Sequence, residues 1–173
     1  MKKIIFISFF TLLTGALSAQ DLVSSFLKKH NESDEFQVMT IGKKMLDMLI
    51  TIAQQGEIGM AKSLEGLNNI RALSSSDTTK YNGYYTTVCD MIHKSKGFEI
   101  VMSSQSSGSN TILAVKESKG IVKELVLISG DEQTGSFNLI SLTGKINLDT
   151  LAKYAGKLHI EGLDQLNKLS TNE

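Results

Sequence analysis

The stretch FEIVMSSQSSGSNTILAVKESKGIVKELVLISGDEQTGSFNLISL, residues 98–142, decides the fold. It divides into four apolar-rich runs, Phe98–Ser103, Thr111–Glu117, Ile121–Ile128 and Ser136–Leu142, separated by short polar connections. Runs of this length, bounded by serine, glycine and aspartate, predict four strands joined as an antiparallel meander. In the third run, Val122, Glu124, Val126 and Ile128 share one face, and Ile121, Lys123, Leu125 and Leu127 the other. From Leu125 to Ile128 both faces are apolar, which predicts an interior strand. The charged and amide residues Glu99, Lys116, Lys123, Glu124 and Asn138 are expected on an exposed sheet face.

Working outward, Asn147 is expected to cap a helix over 148–158, with Leu148, Leu151, Ala152 and Ala155 on one side. The tail 160–173 is expected to fray. Upstream, Asp77 is expected to cap a helix from Thr78 to Ser95, which Gly97 ends. Leu67–Ser74 reads as a strand and Met60–Leu67 as one or two helical turns. Lys43–Ala53 carries a helical stripe of Met45, Leu46, Leu49, Ile50 and Ile52, with Lys43, Lys44 and Asp47 opposite. Phe36–Thr40 alternates as a strand after a polar break at Asn31–Asp34, and residues 21–30 place Leu22, Val23, Phe26 and Leu27 at helical spacing. Strands concentrated in one meander, with helices before and after, predict an α+β fold. Its sheet is expected to be mainly antiparallel, with the helices packed on one face, the inner side of the meander lying under the 78–95 and 147–158 helices.

The first 19 residues carry a different signal. Lys2 and Lys3 precede an apolar run from Ile4 to Leu13, followed by the small residues of Thr14–Ala19. This is the layout of a cleaved export signal, cut after Ala19 in preference to Ser18, which would place Ala16 at −3, and the run is short of the ~20 residues that span a bilayer. The only cysteine is Cys89, so no lipid-anchoring cysteine follows the run. Removing 19 of the 173 residues leaves a single domain over 20–173, with 16 basic against 18 acidic residues. The expected product is exported to the periplasm or beyond, is not a lipoprotein, and has no stable membrane insertion.

Balanced charge argues against nucleic acid as a partner. One cysteine excludes an internal disulfide, and the absence of proline excludes proline-rich linkers. Cys89 and His93, at i and i+4, could form a thiolate–imidazolium pair or half a metal site, but Cys89 falls in an apolar stripe with Tyr85, Val88 and Ile92, which reads as core. Ser106–Ser109 lacks the frame of a hydrolase nucleophile, and no histidine follows before His159. Gly56–Gly59 matches no phosphate cradle, and Gly130–Thr134 has no calcium-ligand ladder. Tyr81, Tyr84 and Tyr85 form the densest aromatic cluster, either a binding patch or, the reading preferred, helix-to-sheet packing. The seven methionines, Met39, Met45, Met48 and Met60 among them, are expected to fill the core. No catalytic, metal or cofactor site is assigned.

The order of elements resembles that of a known family. The segment FQVMTIGKKMLDML, the long central helix and the closing IVKELVLISGDEQTGSFNLISLTGKINLDTLAKYA are similar to the Bacteroidetes family catalogued as domain of unknown function 4252. The resemblance covers roughly residues 21–158. It implies an exported envelope protein of a Gram-negative anaerobe or relative, and no assigned activity. Together these readings predict a non-enzymatic interaction or regulatory module, with an envelope protein as the expected partner. Its rivals are a small-molecule or lipid-binding protein and an enzyme with an unrecognised site. A pocket of about 300 Å³ or more with convergent polar groups would favour the rivals, and an exposed apolar patch a protein partner.

Overall fold

The computed structural model describes residues 20–30 and 34–154. The expected signal segment 1–19, residues 31–33 of the polar break, the helix beyond Tyr154 and the tail with His159 lie outside the described residues. The elements run α1 (Leu22–Lys29), β1 (Gln37–Gly42), α2 (Lys43–Ala53), α3 (Ile58–Leu64), β2 (Leu67–Ser75), α4 (Tyr81–Lys94), β3 (Phe98–Ser106), β4 (Ser109–Ser118), β5 (Ile121–Asp131), β6 (Ser136–Ile146) and α5 (Leu148–Tyr154). This is an α+β fold. The six strands form one antiparallel sheet in the order β1-β2-β6-β5-β4-β3.

The meander is continuous from β3 to β6, and β5 lies inside it between β4 and β6. Its strands run past their expected ends because each turn is tight. Ser107 and Lys119 take positive φ beside Gly108 and Gly120, which lets pairing continue to Ser106↔Ser109 and Ser118↔Ile121. Between β5 and β6, the Asp131 carboxylate accepts from the backbone N–H groups of Gln133 (2.9 Å) and Thr134 (2.8 Å). The acidic loop there is thus a side-chain-braced turn.

The helices do not share one face. Leu113, Leu125, Leu127, Ile140 and Leu142 pack with Leu46 of α2, Leu64 of α3 and Leu151 of α5. Ile112, Ala114, Val126, Ile128, Phe137 and Leu139 pack with Leu22, Val23 and Phe26 of α1 and Tyr81, Tyr84, Val88 and Ile92 of α4. Placing α4 and α5 over one common face is therefore corrected: they cover opposite faces. The reason lies in the strands themselves, because β4, β5 and β6 carry apolar side chains at successive positions, and each side needs cover.

The local starts and stops have clear causes. Asp21 caps α1 by accepting from Ser24 N–H at 2.8 Å, and Asn147 caps α5 by accepting from Thr150 N–H at 2.9 Å. α4 starts at Tyr81 rather than Thr78. The Asp77 carboxylate binds Thr79 N–H (2.9 Å) and the Thr79 hydroxyl (2.6 Å), which holds residues 77–80 in a turn ahead of the helix. Tyr81 then lies on β5 where Gly130 leaves room: a Cβ at 130 would sit 2.1 Å from the tyrosine ring.

Candidate functional site

The residues singled out in the sequence take structural positions. Tyr81 and Tyr84 are buried and Tyr85 is half-buried against the same cluster. Asn110 Nδ2 donates to the Tyr81 hydroxyl at 3.2 Å, and the Tyr84 hydroxyl donates to Glu35, which also pairs with Lys80 at 2.7 Å. Burial pushes the Tyr85 hydroxyl up to about 12. The tyrosines thus offer no open aromatic surface. His93 Nδ1 donates to the backbone carbonyl of Cys89 at 2.7 Å, so the ring is engaged with the helix backbone. Burial pushes the Cys89 thiol up, away from thiolate character. Among the described residues no cluster of three or more His, Cys, Asp or Glu could hold a metal ion.

The polar site that the structure does assemble is centred on Glu124. Expected on an exposed face, it is instead only 6% exposed. It lies on the β5 face of Val126 and Ile128, and α1 closes over that face. Its Oε1 accepts from the Leu22 backbone N–H at 2.7 Å and from the Ser141 hydroxyl at 2.8 Å. Leu22 is the first residue of α1, so the carboxylate meets a free N–H of the helix start, where anions are stabilised. Burial nevertheless pushes the Glu124 carboxyl above its ordinary range, with those two hydrogen bonds opposing the shift. Beside it, Arg71 lies 3.5 Å from Asp21 Oδ2, donates to the Ser24 hydroxyl, and reaches Thr40 Oγ1 at 3.3 Å.

Strand register sets Asn69, Thr143, Glu124 and Lys116 in one row across four strands. At the end of that row opens a cleft of about 590 Å³, lined by Asn68, Lys116, Glu117, Lys123, Glu124 and Lys145 among others. Three ammonium groups around one buried and one exposed carboxylate suit an anionic guest. Among the described residues no imidazole is hydrogen-bonded to the Ser141 hydroxyl, which donates to Glu124, and His30 lies at the far end of α1, about 12 Å along its axis from Leu22.

A second feature is apolar. Met39, Met45 and Met48 are 52%, 47% and 51% exposed, which corrects their expected place in the core; Met60 is half-buried against it. On α2, Leu46 and Ala53 are buried, Leu46 against the sheet. At 100° per residue the apolar arc runs from Ile50 through Leu46, Ala53 and Leu49 to Met45, Ile52 and Met48, spanning about 200°, twice what one buried face needs. Ile52 (60% exposed) and Ile58 (64%) extend this shelf toward α3, and a shallow groove lies beside Met39, lined by Gln37, Ala72, Asn138 and Ile140.

Over residues 29–154 the chain matches the family described as Domain of unknown function (DUF4252). It is a DUF4252 protein. No curated protein and no solved structure matches it. The DUF4252 match takes in the whole sheet, the cleft and the α2 shelf. It starts at Lys29, so all of α1 but its last residue lies before it, although Val23 and Phe26 are fully buried in the core. No helix among the described residues of this DUF4252 chain is long and apolar enough to cross a membrane.

Neither Glu124 nor the shelf was singled out as a site in the sequence. A signal existed for each. Glu124 shares its strand face with Val126 and Ile128, so a buried carboxyl was readable from alternation alone. Met45, Met48 and Ile52 widen the α2 stripe beyond one face.

Proposed function

We propose that this protein is an exported, non-enzymatic interaction module of the cell envelope, released from residues 1–19 by signal cleavage, and that it acts through the apolar shelf of β1, α2 and α3. The observation that carries this reading is the exposure of Met39, Met45, Met48, Ile52 and Ile58 on adjoining elements. Large apolar side chains grouped in this way favour a protein contact, because water contact at each costs free energy that burial against a partner recovers. A photo-reactive side chain at Ile52 should form a covalent adduct with another polypeptide in the native envelope, and one at the exposed Asn82 of α4 should not. Equal labelling from both positions would defeat the reading.

One observation favours a second reading, a small-molecule-binding role. The cleft beside Glu124 exceeds the size of a minimal ligand pocket and gathers Lys116, Lys123 and Lys145. A small dicarboxylate or phosphate compound bound there should raise the unfolding temperature, and Lys123→Ala should weaken that effect about tenfold in ligand concentration. Thermal shifts identical for the wild type and the lysine variant would place the ligand elsewhere.

A further inference from the structure

We propose that the outer edge of β1, which no other described strand pairs, is the seam of a two-fold homodimer, in which the sheets of two copies join edge to edge and their α2 helices meet across the axis. The inference rests on the interaction reading and names the partner as a second copy of this chain.

The two edges of the sheet differ. β3, at one side, carries Glu99 and a bulge between Ile100 and Met102, both of which discourage further pairing. β1, at the other, pairs with β2 through six unbroken positions, and its sequence QVMTIG has no charge and no proline. An unbulged, uncharged edge is a template for another strand.

Symmetry then selects the register. Two antiparallel strands of one continuous sheet are related by a two-fold axis perpendicular to it, which keeps each side chain on its own face. Facing positions must therefore both be odd or both be even. Centring the pair on Met39 sets Met39 opposite its own copy, Val38 opposite Thr40 and Gln37 opposite Ile41. The flanking charges complement each other in this arrangement. Asp34 precedes β1 and Lys44 follows it, and centring on Met39 sets each Asp34 toward Lys44 of the second copy, while Glu35 and Lys43 keep their own partners Lys80 and Asp47. A strand with like charges at both ends would repel itself.

The same axis brings the apolar shelf together. Met39 pairs with Ala72, which packs on the α2 side of the sheet, so the two Met39 side chains point to the face where α2 lies. β1 runs into α2 without an intervening loop, so both copies of α2 flank the axis on that one face. A six-residue seam alone buries less than a standard interface, and the Met45, Met48 and Ile52 arc supplies additional apolar area.

The test is sedimentation equilibrium of the purified protein with its Met39→Lys and Met39→Glu variants. Met39 is half exposed on an edge, and the unfolding temperature of each variant verifies that the monomer still folds. The wild type should sediment at twice the monomer mass. Each variant should dimerise at least about tenfold more weakly, because like charges would then face each other at the axis. An equimolar mixture of the two should regain the dimer. A monomeric wild type, a Met39→Lys variant that dimerises like the wild type, or a mixture that stays monomeric each overturns the proposal. A monomeric protein whose Ile52 cross-link captures a different chain overturns the dimer and leaves the interaction reading standing; a dimer that obeys the Met39 variants while Ile52 cross-links to no chain at all defeats the shelf reading and the α2 contact and leaves only the β1 seam.

Discussion

Glu124 is a carboxyl that the fold uses as a hydrogen-bond acceptor and at the same time desolvates. Truncation and neutralisation should therefore have different effects. Glu124→Ala leaves the Leu22 N–H without its acceptor at the start of α1 and is expected to cost on the order of 1–3 kcal/mol. Glu124→Gln keeps an acceptor and removes the ionisation. Because the folded-state pKa is raised, the stability associated with this group is complete below the ordinary glutamate range. It is lost as pH rises through the raised folded value, and is level above it. The wild type should therefore lose stability relative to Glu124→Gln on going from about pH 4 toward neutrality. Urea midpoints of the two proteins across that range check this, and parallel pH curves would contradict it. His30 acts in the opposite sense. Burial, aided by Lys29 and opposed by Glu35, holds its pKa down, so its contribution is lost as pH falls below the ordinary histidine value.

Among the elements, β5 is the most constrained. Leu127 is 1% exposed under α2, α3 and α5, and Ile128 is fully buried under α1 and α4. Leu127→Asp places an unpaired carboxylate in a dry layer at a cost of several kcal/mol, a large share of the ~5–15 kcal/mol that holds a domain of this kind. The variant should be unfolded by near-ultraviolet circular dichroism at 25 °C, while the Leu125–Ile128 amides of the wild type exchange among the slowest in the chain. A folded Leu127→Asp protein would show that α2, α3 and α5 do not seal that face. This strand was legible in sequence because four successive apolar positions leave no face for water. α2 was harder to read: its boundaries follow from periodicity, but a 200° apolar arc does not say which part of it meets the sheet. That depends on where β2 and β6 place Ile70 and Leu142, a long-range fact that periodicity within one helix does not carry.

For the molecule as a whole, strand pairing in the meander followed from short turns, because tight connections force neighbours together. The position of β2 beside β6 had no such cue, since α4 and three strands separate them in the chain. The distribution of helices over both faces was also implicit in the doubly apolar β5, yet assigning each helix to a face requires the handedness and length of its connections. The polar cleft was hidden for a related reason. Its lining comes from the β2, β4, β5 and β6 ends and joins residues from Gly66 to Lys145, which no local motif connects.

The contact from Glu124 to Leu22 spans 102 residues. It ties the first helix of the described residues to strands made about a hundred residues later. Until Ser141 has left the ribosome, α1 has neither its acceptor network nor the Phe137 and Leu139 surface that buries Phe26. Docking of α1 therefore waits for β6, and non-local pairing of this kind slows folding. A chain from which α1 had been trimmed away would lose core rather than decoration, since Val23 and Phe26 are fully buried.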